Sequence, residues 1–565
     1  MKQVTIRILI WVCVLICPWI GASTGSAQTQ EVQPPIEIRH ASSKIVIDGD
    51  LSEAAWKDAT RVDKFWETLP GDNVQPRIKT VGYLAYDDNS LYIGIDCYDP
   101  DPSSIRAPYS DRDNLTFDTD YAGIVLDTRH DKRTALKLLV NPRGVQEDSI
   151  QDDSNGTEDT SFDLFWDSAG KINDHGYSIE MRIPFSSLRY EGDGPQIWGA
   201  TLYRNTNRDT RYRFFSNPLP RSSNCEICHE RDLVGLDRLP AAGHVTLTPY
   251  GTYSENGHRA DAQNLDSNFV NQNDGDAGAD IKWVPNANTA IDATINPDFS
   301  QVESDVAQIS ANSRFALFYP EKRSFFLEGL DLFSTPINAV YTRTITSPRW
   351  GVRSTGRFGS SSYTLLATQD RGGGSVIIPG PQSSTFVDQD FLSFANIGRI
   401  RHDVGRSFMS LLFTDREAQE NGYNRVLGPD FQWSPNDTNR VTGQWLYSDS
   451  RTPDLPNLDP SWNGNRLSGY AGFGSWNHSS RRTNWNAEYD DISDDFRADD
   501  GFVPQVGYRR GLGRFFYKFY PSGFFTQITP LVSEENTHET DGNILLQKFY
   551  PGIQLVGQKS LYGEF

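Results

Sequence analysis

The chain has 565 residues, of which 37% are hydrophobic and 12% aromatic, and its formal net charge is −21. That charge argues against nucleic acid and anionic membrane surfaces as partners, and the length calls for more than one domain. With 46 glycines and only 3 methionines, and no uninterrupted apolar run beyond the N-terminal region, the composition suits strands in which apolar and polar residues alternate.

Lys2 and Arg7 flank the start of an apolar run, ILIWVCVLICPWIGA, which is followed by the small residues Gly25, Ser26 and Ala27. The run is too short for a spanning helix, so residues 1–27 read as a secretory signal peptide cleaved after Ala27. Losing Lys2 and Arg7 takes the charge from −21 to −23. Cys17 precedes Pro18 and Trp19 and is not read as a lipoprotein acylation site.

From residue 36 to 243 the pattern is that of a β-sandwich. Val81–Ala85, Leu91–Cys97, Ala122–Asp127, Ala135–Val140, Tyr177–Ile183 and Trp198–Arg204 alternate or run apolar. Turns such as Asp87-Asp88-Asn89 and Asn141-Pro142-Arg143-Gly144 separate them, which predicts an antiparallel arrangement. Ile45, Ile47, Leu51 and Trp56 supply core residues near the start. The acidic stretch QEDSIQDDSNGTEDTSFD, residues 146–163, reads as an exposed loop. The opening KIVIDGDLSEAAWKDATRV, with VGYLAYDDNSLYIGIDCYDPDP and HGYSIEMRIPFSSLRY, resembles the family 9 carbohydrate-binding module. The resemblance implies a sandwich that binds a carbohydrate or glycan ligand.

A sugar site needs an aromatic platform beside hydrogen-bonding groups, because a pyranose ring has an apolar C–H face and polar edges. Trp66, Trp166 and Tyr203 are the candidates, while Trp56 reads as core. Asp87, Asp88, Asp99 and Asp101 offer hard oxygen ligands for calcium, or solvate their turns. Cys225-Glu226-Ile227-Cys228-His229 is a CxxCH, which admits a disulfide, covalent haem c with His229 as proximal ligand, or a metal clip. A six-coordinate haem would look to His175 or His244 for its second ligand, since Met181 and Met409 are the only thioethers left after signal cleavage.

Residues 295–329 join two architectures. They carry Asp298, Glu303, Asp305, Glu321 and Glu328 among the aromatics Phe315, Phe318, Tyr319, Phe325 and Phe326. Buried charges persist when paired, so Asp298, Glu303, Glu321, Lys322, Arg323 and Glu328 read as an ionic network. Glu321 and Glu328 are the candidates for acid–base catalysis. NPDFSQVESD and FYPEKRSFFLEG resemble a bacterial outer-membrane family in which a family 9 carbohydrate-binding-module-like domain precedes a β-barrel domain of unknown function.

Residues 244–565 repeat short alternating segments. RVTGQWLYSDS sets Val441, Gly443, Trp445 and Tyr447 against Thr442, Gln444 and Ser448, and TNWNAEYDD sets Trp485, Ala487 and Tyr489 against Asn484, Asn486 and Glu488. One face suits lipid and the other water, which predicts an outer-membrane-type barrel of about sixteen strands. The terminal SLYGEF ends in Phe565 but otherwise fits an insertion signal poorly, which leaves open whether the barrel is complete there. The chain is thus expected to be all-β, a sandwich followed by a barrel in the cell outer membrane, with the sandwich periplasmic or surface-exposed and lipid around the barrel. The leading expectation is a protein that binds, presents or passes glycan-related ligands. The alternatives are a glycoside hydrolase acting through carboxylates and a haem c electron-transfer protein.

Overall fold

The computed structural model describes residues 33–565 apart from 154–155, 161, 191–193, 238, 241–243, 261–265, 287, 298–313, 328, 373, 390, 420 and 560. Two sheets form the sandwich. In the larger, the strands run in the order Ile36–Glu37, Arg231–Leu236, Gln196–Asn207, Tyr121–Asp127, Thr134–Val140, Gln146–Asp152 and Thr157–Asp159, with Arg211–Phe215 and Trp66–Leu69 on a branch. The smaller runs Asp167–Asn173, Gly176–Pro184, Ser90–Tyr98, Thr80–Tyr86 and Arg39–His40, with Thr60–Val62 also paired to Thr80–Tyr86. Inward residues such as Leu84, Ile93, Ile95, Ile124, Leu138, Ile179 and Trp198 interdigitate as one core. Gly82 lies where a Cβ would meet Leu202 Cδ1 at 2.0 Å, so the two sheets approach too closely there for any side chain.

The sandwich is antiparallel as expected except at two short edge pairings, where Ile36–Glu37 runs parallel to Arg231–Leu236 and Arg39–His40 runs parallel to Thr80–Tyr86. One extended segment thereby crosses from the edge of one sheet to the edge of the other, where a parallel neighbour needs no hairpin. The expectation of an exposed loop is corrected for the first part of the acidic stretch, residues 146–152. Gln146–Asp152 is a sheet strand paired along its length with Thr134–Val140, and Glu147, Asp148, Ser149 and Asp152 are buried. Its carboxylates are accommodated because they have donors: Asp148 accepts from Arg112 Nη2 at 2.5 Å, the Leu164 amide at 2.5 Å and Trp166 Nε1 at 3.2 Å.

The second part is a single antiparallel meander of 15 strands, from His244–Arg259 to Tyr562–Glu564. It is a barrel-type wall, whose first and last strands are each paired on one side only among the described residues. The hairpin Ser375–Pro379 and Ser384–Asp388 stands off it. Strand Ser393–Val404 shows the governing pattern: Phe394, Ile400 and Val404 face out, and Ser393, Ala395, Ile397, Arg399, Arg401 and Asp403 face in. Trp445 and Tyr447 are likewise exposed while Gln444 and Ser448 are buried, as the alternation predicts. Large apolar side chains on the exterior match a hydrocarbon solvent, while the interior mixes charged residues with apolar ones.

Residues 314–327 and 329–346 fill the interior of this wall. Phe325, Phe326, Phe333, Ile337, Val340 and Ile345 pack on the inward-facing Leu366, Ala395, Ile397, Leu412, Val426 and Leu446. Burying an irregular segment leaves carbonyls to be satisfied, and arginines do so. Arg399 donates to the carbonyls of Leu332 (2.7 Å) and Ser334 (2.9 Å), and Arg416 to that of Thr344 (3.2 Å). Arg323 donates to Thr342 (2.8 Å) and Ile345 (2.6 Å).

The sandwich seats on the end of the wall where hairpin turns are short. Residues 359–360, 405–406, 437–438 and 480–482 turn the chain there, and Gly359 and Gly405 adopt the positive φ that two-residue hairpin turns demand. Arg133 pairs with Asp403, the Asn224 amide donates to the Asp437 carbonyl at 2.8 Å, Arg440 donates to the Asn224 carbonyl at 3.2 Å, and Arg481 pairs with Asp72 at 3.2 Å.

Candidate functional site

The outer face of the larger sandwich sheet carries a polar cleft of about 300 Å³. Register assembles it from distant segments. Tyr203 faces Gly123 on one neighbouring strand and Phe215 on another, and Tyr121, Leu139, Tyr203 and Phe215 form an apolar floor. Gly123 keeps that floor open, because a Cβ there would meet the Leu138 carbonyl at 1.9 Å. Two ion pairs stand over it. Lys137 Nζ lies 2.8 Å from Glu158 Oε1, which also accepts from Ser149 Oγ at 2.7 Å, and Arg213 lies 3.5 Å from Glu226. Arg211 donates to Asn205 Oδ1 at 2.7 Å and lies over the exposed ring of Phe117.

The charges here are fixed. Burial pulls the Lys137 pKa down, but the Glu158 charge more than offsets it and leaves it raised. Burial likewise pushes Glu158 up and Lys137 outweighs it, so Glu158 titrates below its ordinary range. Asp153, at the cleft wall, accepts from the amides of Glu226 (2.5 Å) and Ile227 (2.7 Å) and is pushed up to about 6 by burial. A charge-paired, aromatic-floored cleft can bind a neutral ligand rich in hydroxyls, since each pair offers both a donor and an acceptor.

Only Tyr203 of the sequence candidates lines this cleft. Trp66 is half-buried on strand Trp66–Leu69, with Lys64 Nζ 4.9 Å from its ring centroid. Trp166 packs within the main core cluster and donates to Asp148. The signal missed was dispersed over almost ninety residues, in Lys137, Glu158, Arg211, Arg213 and Glu226, which only strand register brings together.

The calcium candidates are committed to the protein. Asp99 accepts from Arg208 at 2.5 Å and from the Asp101 amide at 2.9 Å, while Asp101 holds Ser103 through both its amide and hydroxyl. Asp87 accepts from the amides of Asn89 and Ser90 and from the Tyr92 hydroxyl. Asp88 contacts His40 at 3.2 Å. None of these groups converges on a common point, whereas Asp48, Glu53 and Glu180 do lie close together. Glu180 accepts from the amides of Asp48 (2.9 Å) and Gly49 (2.7 Å) and from Trp56 Nε1 (2.8 Å), which ties the opening motif to the sheet.

Cys225 and Cys228 are joined to each other, the arrangement of the disulfide alternative. His175 lies 3.0 Å from Asp96, and His244 begins the first wall strand. His229 is held at about 4, first by burial and then by the Arg406 charge, so its ring stays neutral. Cys97 is free and buried, its thiol pushed up to about 11 by burial.

Glu321 is 4% exposed. Its oxygens accept from the Lys322 amide (3.0 Å), from Arg323 through its amide (2.9 Å), Nε (2.8 Å) and Nη2 (2.6 Å), and from the Thr342 hydroxyl (2.6 Å). That geometry is an anchor for the interior segment. Glu328, Asp298, Glu303 and Asp305 lie outside the described residues.

The fold therefore defines an all-β protein in which a sandwich is joined to an antiparallel barrel-type wall. Within that class, residues 47–215 match the family model described as carbohydrate family 9 binding domain-like, and residues 244–355 match a domain of unknown function, DUF5916. Among solved structures, a family 9 carbohydrate binding module from Caldicellulosiruptor kristjanssonii in complex with cellotriose is 18% identical, covering 35% of this chain and 92% of that one (TM-score 0.25). A putative carbohydrate-binding protein from Bacteroides uniformis is 12% identical, covering 36% and 98% (TM-score 0.29). Pseudomonas aeruginosa OccK11 is 10% identical, covering 66% and 83% (TM-score 0.30). No match was found among curated proteins.

Proposed function

We propose that this protein is an outer-membrane carbohydrate-binding protein whose sandwich binds saccharide at the periplasmic mouth of a filled barrel. The observation that carries the reading is the cleft over Tyr121 and Tyr203, lined by the Lys137–Glu158 and Arg213–Glu226 pairs, on the very domain that matches the carbohydrate family 9 model. Hydroxyls of a sugar accept from the Lys and Arg heads and donate to the carboxylates, while its C–H face meets the aromatic floor. Orientation follows from the turns. Outer-membrane barrels place short turns in the periplasm and long loops outside, and the sandwich seats on the short-turn end while residues 452–465 and 493–507 form long loops at the other.

The test is titration of the intact chain in detergent with cello- and malto-oligosaccharides. Glu158→Gln and Arg213→Ala are expected to weaken binding at least tenfold without changing heat-modifiable migration on gels. Undiminished binding by both assembled variants would refute the cleft. Protease added to intact cells is expected to spare the sandwich; its digestion would reverse the orientation.

A further inference from the structure

A second, larger cavity of about 340 Å³ lies inside the wall, between the strands, the interior segment near Asp331 and Ser334, and the sandwich hairpin at Asp152 and Thr157. It is at the lower end of the range of roughly 300–1,000 Å³ typical of small-molecule sites. Register lays a ladder along its side. Gln432, Thr442, Ser475 and Glu488 sit opposite one another on four successive strands, and Phe473 and Arg440 complete that side. The hydroxyls of Thr442 and Ser475 have no protein hydrogen-bond partner among the described residues and face the cavity.

We infer that this luminal ladder is a second saccharide site, which takes a neutral oligosaccharide by hydrogen bonds to Gln432, Thr442, Ser475 and Glu488 with a ring face against Phe473. The chemistry matches a polyol: amide, two hydroxyls and a carboxylate give alternating donors and acceptors without a dominant charge. Thr157 lines both this cavity and the sandwich cleft, and a Cβ on its neighbour Gly156 would lie 3.5 Å from Arg440. The two sites therefore share one wall, and a saccharide leaving one is presented to the other. The inference rests on the carbohydrate reading of the cleft.

The test is calorimetric titration of the intact chain in detergent with cellotriose and maltotriose. The expected result is two sites per chain. Thr442→Val with Ser475→Val is expected to remove one and leave the other, and Glu158→Gln to remove the complementary one. A single wild-type site that survives the luminal pair, or two sites unaffected by it, overturns the inference. A site lost with the luminal pair but untouched by Glu158→Gln sustains it and refutes the cleft instead. Absence of binding by either trisaccharide overturns both. Should the valine pair fail to assemble, Ser475→Ala alone, which removes one hydroxyl from the ladder, is expected to weaken the luminal site at least threefold, and an unchanged constant overturns the inference.

Discussion

Replacing Glu321 by Gln separates an anchor from a catalyst. The carboxylate receives five donors, three of them from Arg323, and the Arg323 side chain is only 11% exposed. Removing the charge leaves that guanidinium buried without its counter-ion, which costs about 3–5 kcal/mol in comparable sites. Arg323 keeps the carbonyls of Thr342 and Ile345, so the expected loss is at the lower end, about 3 kcal/mol. The pH dependence has a definite sign. Burial raises the Glu321 pKa, but the Arg323 hydrogen bonds and charge outweigh it and leave it lowered. Stability from such a group is present above the unfolded value of about 4.3 and is lost as pH falls through the lower folded value. Urea titration of the chain in detergent, followed by tryptophan fluorescence, should show the loss at pH 7, with the variant's acid limb flattened below about pH 4. An unfolding midpoint within error of wild type would refute the anchor, and an assembled but catalytically dead variant would restore the catalytic reading.

Trp166→Ala should destabilise the sandwich by about 3–5 kcal/mol, measured by thermal melting, because it empties core space and strands Asp148; a folded variant lacking only sugar retention would return Trp166 to the platform. His229, held neutral at about 4 by burial, contributes stability present above about 6.5 that is lost as pH falls through the folded value, on the order of 3 kcal/mol. His229→Gln should remove that dependence, and an unchanged profile between pH 6.5 and 4 would contradict it. Alkylation of the native chain should label no thiol until reduction frees Cys225 and Cys228, with Cys97 reacting only after denaturation; haem absorbance in protein from the native host would overturn this.

The wall was legible because a strand with two unlike faces imposes a strict period of two: Trp445 and Tyr447 against Gln444 and Ser448 follow from the alternation alone. The acidic strand Gln146–Asp152 was not, since its polarity signals solvent exposure unless Arg112 and Trp166, far along the chain, are known to meet Asp148. The interior segment escaped for a related reason. Its phenylalanines follow no helix or strand period, because they fit against a wall built by later residues. The cleft was the least legible: Tyr203 alone was identified, and Lys137, Glu158, Arg213 and Glu226 are ordinary surface charges until pairing aligns them.

The arginine grip on the interior segment has a consequence for how its sequence can vary. Arg399, Arg416 and Arg323 hold carbonyl oxygens of Leu332, Ser334, Thr342, Thr344 and Ile345, groups that every amino acid supplies. Side-chain identity at those positions is therefore free to drift wherever shape permits, while the path of the backbone is not. The three arginines, Arg399 and Arg416 on the wall and Arg323 within the filling itself, cannot drift at all without orphaning the carbonyls they serve. Saturation mutagenesis should accordingly find tolerance concentrated on the filling and intolerance on the three guanidinium groups, the reverse of a lock whose specificity resides in its key.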